Sequence, residues 1–302
     1  MRIVIALGGN ALLERGDRPD SDIQEQNVAI ASAAIAPLAR DHEVIVTHGN
    51  GPQVGVLAIE SANDRSLLRP YPLDALGAET QGLIGYWLVQ ELQNRLPDRV
   101  VAALLTRVVV DPADPAFALP TKFVGPVYGA TEAEGLARDR GWHIAADGDR
   151  WRRVVPSPAP IRIVESDVIR RLVDAGIVVV CAGGGGIPVV VGPDGNLHGV
   201  EAVIDKDFTA ALLAEEMGAE ALIVLTDVEG VLHGFGTPDA GPIRVTNPST
   251  LRAISFPAGS MGPKIDAVCG FVERTGGFAA IGSLADAAAV LTGERGTLVR
   301  PD

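Results

Sequence analysis

The sequence shows one pattern four times: a short apolar run that stops at a glycine-rich or turn-forming stretch. These runs cover residues 3–7, 44–47, 177–181 and 222–225. Short apolar runs bounded by turn residues are typical of strands that are buried on both faces. Helical patterns cover residues 23–40, 205–217 and 264–274. Strands that alternate with helices predict an α/β fold, in which helices cover both faces of a mostly parallel sheet.

The ends of the predicted strands are the places where ligands bind to such sheets. In this chain those ends carry loops of glycine and asparagine: Gly8, Gly9 and Asn10, then Gly49, Asn50 and Gly51, and four glycines at 183–186. Glycine lets a backbone approach a ligand and present bare N–H groups, which suits phosphate oxygens. The chain has no P-loop motif, no G-x-G-x-x-G fingerprint and no G-x-S-x-G elbow. A phosphate site built from several loops is therefore predicted instead of one compact motif.

Composition excludes several classes of protein. The 302-residue chain carries a formal charge of −13, which argues against a nucleic-acid partner, because phosphate backbones are met by clustered positive charge. Its two cysteines, Cys181 and Cys269, and its five scattered histidines support neither a disulfide framework nor a zinc site. The first apolar run is too short for a signal peptide, and no run reaches the roughly 18 residues of a membrane helix. We expect a cytoplasmic protein without a membrane partner.

Lysine is scarce in this chain. Only three of its 25 basic residues, Lys122, Lys206 and Lys264, are lysines, and each lies in a short stretch that contains proline, glycine or aspartate, at the start of a predicted element. Arginine cannot replace lysine where a compact ammonium must meet a phosphate, although a codon bias toward arginine would also explain the count. Lys206 begins a predicted helix, where exposed N–H groups favour anions. Asp205 either caps that helix or holds the ammonium.

Residues 111–160 interrupt the alternation of strands and helices. This segment loses the helical period and gathers prolines, while residues 143–147 and 151–155 flank Gly148-Asp149 and predict a hairpin. We interpret residues 111–160 as a protruding lid, inserted in a single domain that spans residues 1–302. Lys122 lies on the ascending arm of the lid.

A family resemblance runs nearly from end to end of the chain. It rests on residues 6–12 (ALGGNAL), 47–55 (THGNGPQVG), 72–74 (PLD), 81–86 (QGLIGY), 120–126 (PTKFVGP), 203–207 (VIDKD), 225–228 (LTDV) and 259–264 (GSMGPK). The opening Gly-Gly turn is shared by the amino acid kinase superfamily, whereas the THGNGPQ stretch and the lid lysine resemble the carbamate kinases in particular. By this resemblance the chain is identified as a member of the carbamate kinases.

The resemblance implies a fold and a reaction. The fold is a three-layer αβα sandwich with an open, mostly parallel sheet of about eight strands and a protruding lid, assembled as a homodimer. The reaction is reversible phosphoryl transfer between ATP and carbamate, giving ADP and carbamoyl phosphate, with Mg²⁺ carried on ATP. Fermentative ATP synthesis from carbamoyl phosphate, as in arginine catabolism, is the implied physiological role.

The resemblance also implies roles for individual residues. The catalytic set is Lys122, Lys206, Lys264 and Asp205. The phosphate-binding set is Gly8, Gly9, Asn10, Gly49, Asn50 and Gly51. The nucleotide-binding set is Thr226, Asp227, Val228, Gly230, Met261 and Gly262. No protein ligand for a metal is predicted.

Two departures from the family pattern affect this assignment. Many members of the superfamily carry a lysine where this chain has Asn10, so Lys122 in the lid is the candidate to supply that charge. Residues 232–236 read LHGFG, where carbamate kinases often have an aromatic residue and an asparagine. The contacts to adenine are therefore left unassigned.

Two alternative functions remain open on the sequence. Another acyl-phosphate-forming amino acid kinase, such as an acetylglutamate kinase, would need room and a partner for an α-substituent. A catalytically silent nucleotide-binding sensor would use the same fold, but the presence of all three lysines and Asp205 argues against it. Carbamate is already an anion, so its attack on phosphorus needs no general base, and the sequence offers no obvious one.

Overall fold

The computed structural model describes residues 1–9, 12–13, 17–237, 239–256 and 261–302. Within these residues the strands are β1 (Arg2–Leu7), β2 (Glu43–His48), β3 (Val101–Ala103), β4 (Arg107–Val110), β5 (Lys122–Tyr128), β6 (His143–Asp147), β7 (Arg150–Val155), β8 (Pro160–Ile163), β9 (Val178–Val180), β10 (Ile187–Val191), β11 (Leu197–Gly199), β12 (Ala221–Thr226), β13 (Leu232–His233), β14 (Gly241–Pro242), β15 (Val245–Thr246), β16 (Phe278–Ser283) and β17 (Thr297–Val299). The helices are α1 (Ser21–Asp41), α2 (Gly51–Asn63), α3 (Leu73–Arg95), α4 (Ala130–Arg140), α5 (Ser166–Asp174), α6 (Lys206–Glu216), α7 (Pro248–Arg252), α8 (Met261–Thr275) and α9 (Ala287–Thr292).

An eight-stranded sheet runs through the centre of the molecule in the order β15-β17-β16-β12-β1-β2-β9-β3. Neighbouring strands pair in parallel, except for β16 and β17, which are antiparallel. The central strands are buried almost from end to end, because helices lie on both faces of the sheet. The predicted, mostly parallel sheet of about eight strands is confirmed.

Successive residues of the central strands enter two separate cores, one on each face of the sheet. In β1, Ile3 and Ile5 pack in a cluster with residues of α1, α3 and α9. Val4 and Ala6 belong to a second cluster, which residues of α6 and α8 complete, among them the fully buried Phe271. This division follows from the alternation of side chains along a strand. The three-layer αβα architecture is therefore confirmed.

The predicted elements are present, with shifts of a few residues at their ends. The four predicted strands correspond to β1, β2, β9 and β12, and the three predicted helices correspond to α1, α6 and α8. Helix α8 begins at Met261, three residues before its predicted start. Lys264, the predicted first residue of this helix, therefore lies in its first turn.

Smaller sheets lie beside the central one. One has the order β11-β10-β4-β8, and the lid contains an antiparallel sheet in the order β5-β7-β6. The predicted hairpin is confirmed as β6 and β7, with Gly148 at φ +68° in its turn. Helix α4 was not predicted, because Ala133 is its one buried residue and no apolar period marks it. The interpretation of residues 111–160 as a protruding lid, inserted in a single domain of residues 1–302, stays a prediction, and we keep the name lid for this segment.

Helices that cross a bilayer are long and almost continuously apolar. Among the described residues, no helix combines the length and the apolar character needed to cross a membrane.

Candidate active site

The carboxyl ends of β12, β1, β2 and β9 lie side by side, because these strands are neighbours in the central sheet. The loops that follow them therefore meet at one edge of the sheet. A cavity of about 210 Å³ lies there, between the loops, the starts of α2, α6 and α8, and strands β5 and β7 of the lid. Eight predicted site residues line it: Gly9, Gly49, Asn50, Gly51, Lys122, Asp205, Lys206 and Lys264.

Three lysines reach this cavity from three different elements. Lys122 opens β5 of the lid, Lys206 opens α6, and Lys264 lies in the first turn of α8. Lys206 is only 8% exposed, and the side chain of Lys264 is 17% exposed. Ammonium groups are rarely buried unless they are paired. Their convergence was predicted from the sequence contexts and is present in the structure.

Two carboxylates hold the three lysines. Asp205 Oδ2 accepts a hydrogen bond from Lys122 Nζ at 2.5 Å. Asp207 accepts hydrogen bonds from Lys206 and, at 3.3 Å, from Lys264 Nζ. Asp205 Oδ1 also accepts the backbone N–H of Asp207 at 2.9 Å, which caps α6. The two roles considered for Asp205, helix cap and lysine partner, are thus both present.

The charge states follow from burial and from the neighbouring charges. Burial would raise the pKa of Asp205, but Lys122 and Lys206 together outweigh it and hold this pKa at about 2. Burial, and then the charge of Lys206, lowers the pKa of Lys264 below its ordinary value. The described lining carries the three lysines and Arg152 against two carboxylates. Four cations minus two anions leave +2, so the cavity favours anions in a protein of charge −13.

The first two glycine loops are packed against each other. Gly8 donates its N–H to a carbonyl of β12 at 2.8 Å, and Gly49 donates its N–H to a carbonyl of β1 at 3.0 Å. A methyl group on Gly49 would lie 2.7 Å from the backbone nitrogen of Gly9, so the close approach requires glycine. Gly8 is not part of the described lining, since the sheet uses its N–H. Asn10 lies outside the described residues.

His48 and Asn50 are buried beneath the four-glycine loop. Asn50 Nδ2 donates to Thr80 Oγ1 at 2.8 Å. A methyl group on Gly183 would overlap the His48 ring, and one on Gly184 would overlap the Asn50 amide. Burial lowers the pKa of His48 to about 4, so the imidazole is neutral at physiological pH. These contacts agree with a structural role for His48.

The residues predicted to bind the nucleotide lie outside this cavity. Thr226 ends β12, is buried and donates to the Asp227 carboxylate at 3.0 Å, whereas Val228 is exposed. Met261 opens α8. The described lining includes none of the predicted set, Thr226, Asp227, Val228, Gly230, Met261 and Gly262. Their role in nucleotide binding stays a prediction.

A second cavity, of about 400 Å³, is formed by residues that follow β12 in the chain. Two aromatic side chains, Phe235 and Phe256, line it together with Leu232 and Ile254. Apolar and aromatic walls suit a planar ring. This cavity was not predicted, although Phe235 in the LHGFG stretch was a signal for it.

Two charged residues of the first cavity were not predicted from the sequence. Asp207 is 3% exposed and pairs with two lysines. Arg152 donates from Nε to Gly125 O at 2.6 Å and from Nη1 to Asp147 Oδ2 at 3.2 Å. The Asp-Lys-Asp triplet contained the signal for Asp207, whereas nothing in the sequence separates Arg152 from the other arginines.

Comparisons with known proteins agree with this geometry. The amino acid kinase family matches residues 1–281. A carbamate kinase of Rhizobium meliloti is 56% identical over 305 residues, covering 99% of this chain and 93% of that protein. A carbamate kinase of Pyrococcus horikoshii is 45% identical and covers 99% of both chains. The structure of the Giardia lamblia carbamate kinase bound to AMP-PNP superposes with a TM-score of 0.91 at 38% identity, covering 100% of this chain and 98% of that one.

The αβα fold and the lysine-lined cavity at the carboxyl ends of the central strands thus place the protein in the class of kinases, which transfer phosphoryl groups. The chain belongs to the amino acid kinase family, and within it to the carbamate kinases.

Proposed function

We propose that this protein catalyses reversible phosphoryl transfer between ATP and carbamate, giving ADP and carbamoyl phosphate. The observation that carries this proposal is the convergence of Lys122, Lys206 and Lys264 on one cavity at the glycine-rich ends of the central strands. The relatives named carbamate kinase, which match nearly the whole chain, support it. They favour neither an acetylglutamate kinase nor a silent sensor.

The chemical step needs alignment and charge stabilisation. A carbamate oxygen attacks the γ-phosphorus of ATP, a new O–P bond forms, and the bond to the β,γ-bridging oxygen breaks as ADP leaves. Because carbamate is already an anion, no proton must be removed. No described carboxylate of the cavity is needed as a base, which agrees with the pairing of Asp205 and Asp207 to lysines.

The protein supplies preorganised positive charge for the transferring group. The three lysines carry that charge, and the first residues of α2 and α6, Gly51 and Lys206, line the cavity at helix N-termini, where anions are favoured. Asp205 and Asp207 hold the ammonium groups before substrate arrives, so little reorganisation is required. Lys122 would contribute the charge that many relatives place in the first glycine loop.

Mg²⁺ is proposed to enter with ATP. The described residues contain no cluster of three or more candidate ligands, and the two carboxylates of the cavity are occupied by lysines. A donor set of this kind fits a metal that is held chiefly by phosphate oxygens. When bound, Mg²⁺ would neutralise charge on the β- and γ-phosphates.

The nucleotide is proposed to extend from the lysine cavity toward the residues that follow β12. The predicted loop from Thr226 to Gly230 and the start of α8 would hold its ribose and phosphates. The 400 Å³ cavity lined by Phe235 and Phe256 is a fitting place for adenine, because its walls are aromatic and apolar.

One assay tests the proposed reaction. ADP formation is followed in a coupled assay with ATP, Mg²⁺ and carbamate made from bicarbonate and ammonia, beside a panel of amino-acid carboxylates that includes acetylglutamate. We expect turnover with carbamate alone, and ATP formation from ADP and carbamoyl phosphate in reverse. Turnover with acetylglutamate, or none with any acceptor, contradicts the proposal.

Three further properties are proposed from the family resemblance. The protein would be a homodimer, would act in the cytoplasm, and would make ATP from carbamoyl phosphate during arginine breakdown. Sedimentation analysis tests the first property, since a mass equal to the 31.4 kDa chain contradicts a dimer.

A further inference from the structure

The lid touches the body of the protein at a point where neither partner has a side chain. Gly55 lies inside α2, and Gly125 lies in β5. A methyl group on Gly55 would overlap the Cα and the backbone nitrogen of Gly125. The two backbones are therefore in direct contact, and only glycine at position 55 permits it.

Arg152 fixes the lid side of this contact. Its Nε donates to Gly125 O at 2.6 Å, and its Nη1 donates to Asp147 Oδ2 at 3.2 Å. The pairing of β5 with β7 shifts register between Val124 and Val127, and Gly125 has a φ of +72° there. An irregularity of this kind bends the strand and redirects the residues beside it.

The same strand carries the lid lysine. Lys122 lies three residues before Gly125 and donates from Nζ to Asp205 Oδ2 at 2.5 Å. Between them Val124 is 1% exposed, in an apolar cluster that also contains Val54 of α2. Strand β5 is thus packed on α2 close to Lys122. The distance between Gly125 and α2 therefore affects the position of the Lys122 ammonium group.

We propose that Gly55 is a positioning residue. Because it has no side chain, β5 of the lid packs close enough to α2 to bring Lys122 to Asp205 and to the transferring phosphoryl group. The catalytic part of this inference rests on the proposed carbamate kinase activity. The structural part, the seating of the lid, does not.

The low helix propensity of glycine indicates that α2 does not itself require glycine at position 55. Glycine inside a helix is less favourable than alanine, so Gly55→Ala should favour the isolated helix. No φ outside the helical region is required at this position. The benefit of glycine at position 55 thus lies in the contact with the lid.

Hydrogen exchange tests the seating without any turnover. Gly55→Ala is compared with Gly135→Ala, a glycine-to-alanine change in helix α4 of the lid, where the nearest atom to the new methyl lies 4.0 Å away. We expect peptides covering residues 122–128 to exchange at least about tenfold faster in Gly55→Ala and at the wild-type rate in Gly135→Ala. Unchanged exchange in Gly55→Ala overturns the proposal. Loss of the whole fold in Gly55→Ala also overturns the proposal, because the contact between Gly55 and Gly125 would then be needed for folding and not for positioning the lid.

Kinetics test the action through Lys122. A displacement of about 1 Å can lower turnover roughly 10²-fold, so kcat should fall by about that factor in Gly55→Ala and stay unchanged in Gly135→Ala. In a double-mutant cycle, adding Gly55→Ala to Lys122→Ala should cost little more, because both changes remove the same ammonium. Additive losses contradict positioning through Lys122. If the wild type forms no ADP, the proposed function is wrong. The hydrogen-exchange measurement still tests whether Gly55 allows the lid to pack on α2.

Discussion

At the scale of single residues, Asp207 lies between two ammonium groups. It is 3% exposed and pairs with Lys206 from its own helix and with Lys264 from α8. Burying charges is costly unless geometry and hydrogen bonds offset the loss of water. The sharing of one carboxylate holds the two lysine side chains close together, as preorganised stabilisation of a transferring phosphoryl group requires.

Because both lysines pair with Asp207, either lysine can be replaced while Asp207 keeps one ammonium partner. Lys206→Ala or Lys264→Ala leaves Asp207 with one partner, so the fold should persist while one preorganised donor is lost. We expect kcat to fall roughly 10²- to 10³-fold in each variant. Steady-state assays at saturating ATP, with circular dichroism as the control for folding, provide the measurement. Near wild-type turnover in both variants would refute the three-lysine mechanism.

The lid lysine should not tolerate arginine. Lys122 Nζ contacts Asp205 at 2.5 Å as a compact point charge, and a planar guanidinium is wider and carries its charge over a fork. Lys122→Arg should therefore lower kcat at least about tenfold. The matched control is Arg138→Lys, an exchange of the same two residue types on the exposed surface of α4, which should have no effect. Full activity of Lys122→Arg would leave codon bias as the explanation for the scarcity of lysine.

At the scale of elements, the site depends on the order of strands in the sheet. The sequence predicted four strands ending in turn-forming loops, and those strands are β1, β2, β9 and β12. Their order, with β12, β1, β2 and β9 as neighbours, depends on long-range pairing that no local pattern encodes. The convergence of the loops was predictable because parallel strands end at one edge. Contacts across the lid, such as Arg152 with Gly125, were not predictable from local signals.

The four-glycine loop offers a test of packing at the end of β9. Gly184 has a φ of +67°, and a methyl group there would also overlap the Asn50 amide. Gly148 has a φ of +68° in the hairpin turn of the lid, with no neighbour within 4 Å of such a methyl. Alanine at either site should cost about 1–2 kcal/mol for its backbone conformation.

The difference between these two variants isolates the contact with Asn50. Chemical denaturation should show a larger loss of unfolding free energy for Gly184→Ala than for Gly148→Ala. Turnover should fall in Gly184→Ala only, because Asn50 lines the lysine cavity. Equal losses of stability in the two variants would mean that the loop has room to move away from Asn50.

At the scale of the whole molecule, charge is distributed unevenly. The chain has a net charge of −13, while the described lining of the active cavity carries four cations and two carboxylates. A field of this overall sign does not attract ATP or carbamoyl phosphate from a distance. Local positive charge in the cavity must therefore bind these anions. Net charge alone argues against nucleic-acid partners, but it cannot indicate a small positive cavity.

The stability of the molecule should depend on pH through His48. This side chain is 1% exposed, and burial lowers its pKa from 6.5 to about 4. Between these values the unfolded chain binds a proton that the folded protein does not, so folding becomes less favourable as pH falls from 6.5 toward 4. The loss over this window should reach about 3 kcal/mol and should be absent above pH 6.5. The lowered pKa of Asp205, at about 2, acts in a separate window below pH 4.

The measurement is the unfolding free energy by urea denaturation at several pH values, for the wild type and for His48→Gln. Carboxylates elsewhere titrate equally in both, so the wild type should show the steeper fall between pH 6.5 and 4, and equal slopes would mean that His48 is not held neutral by burial.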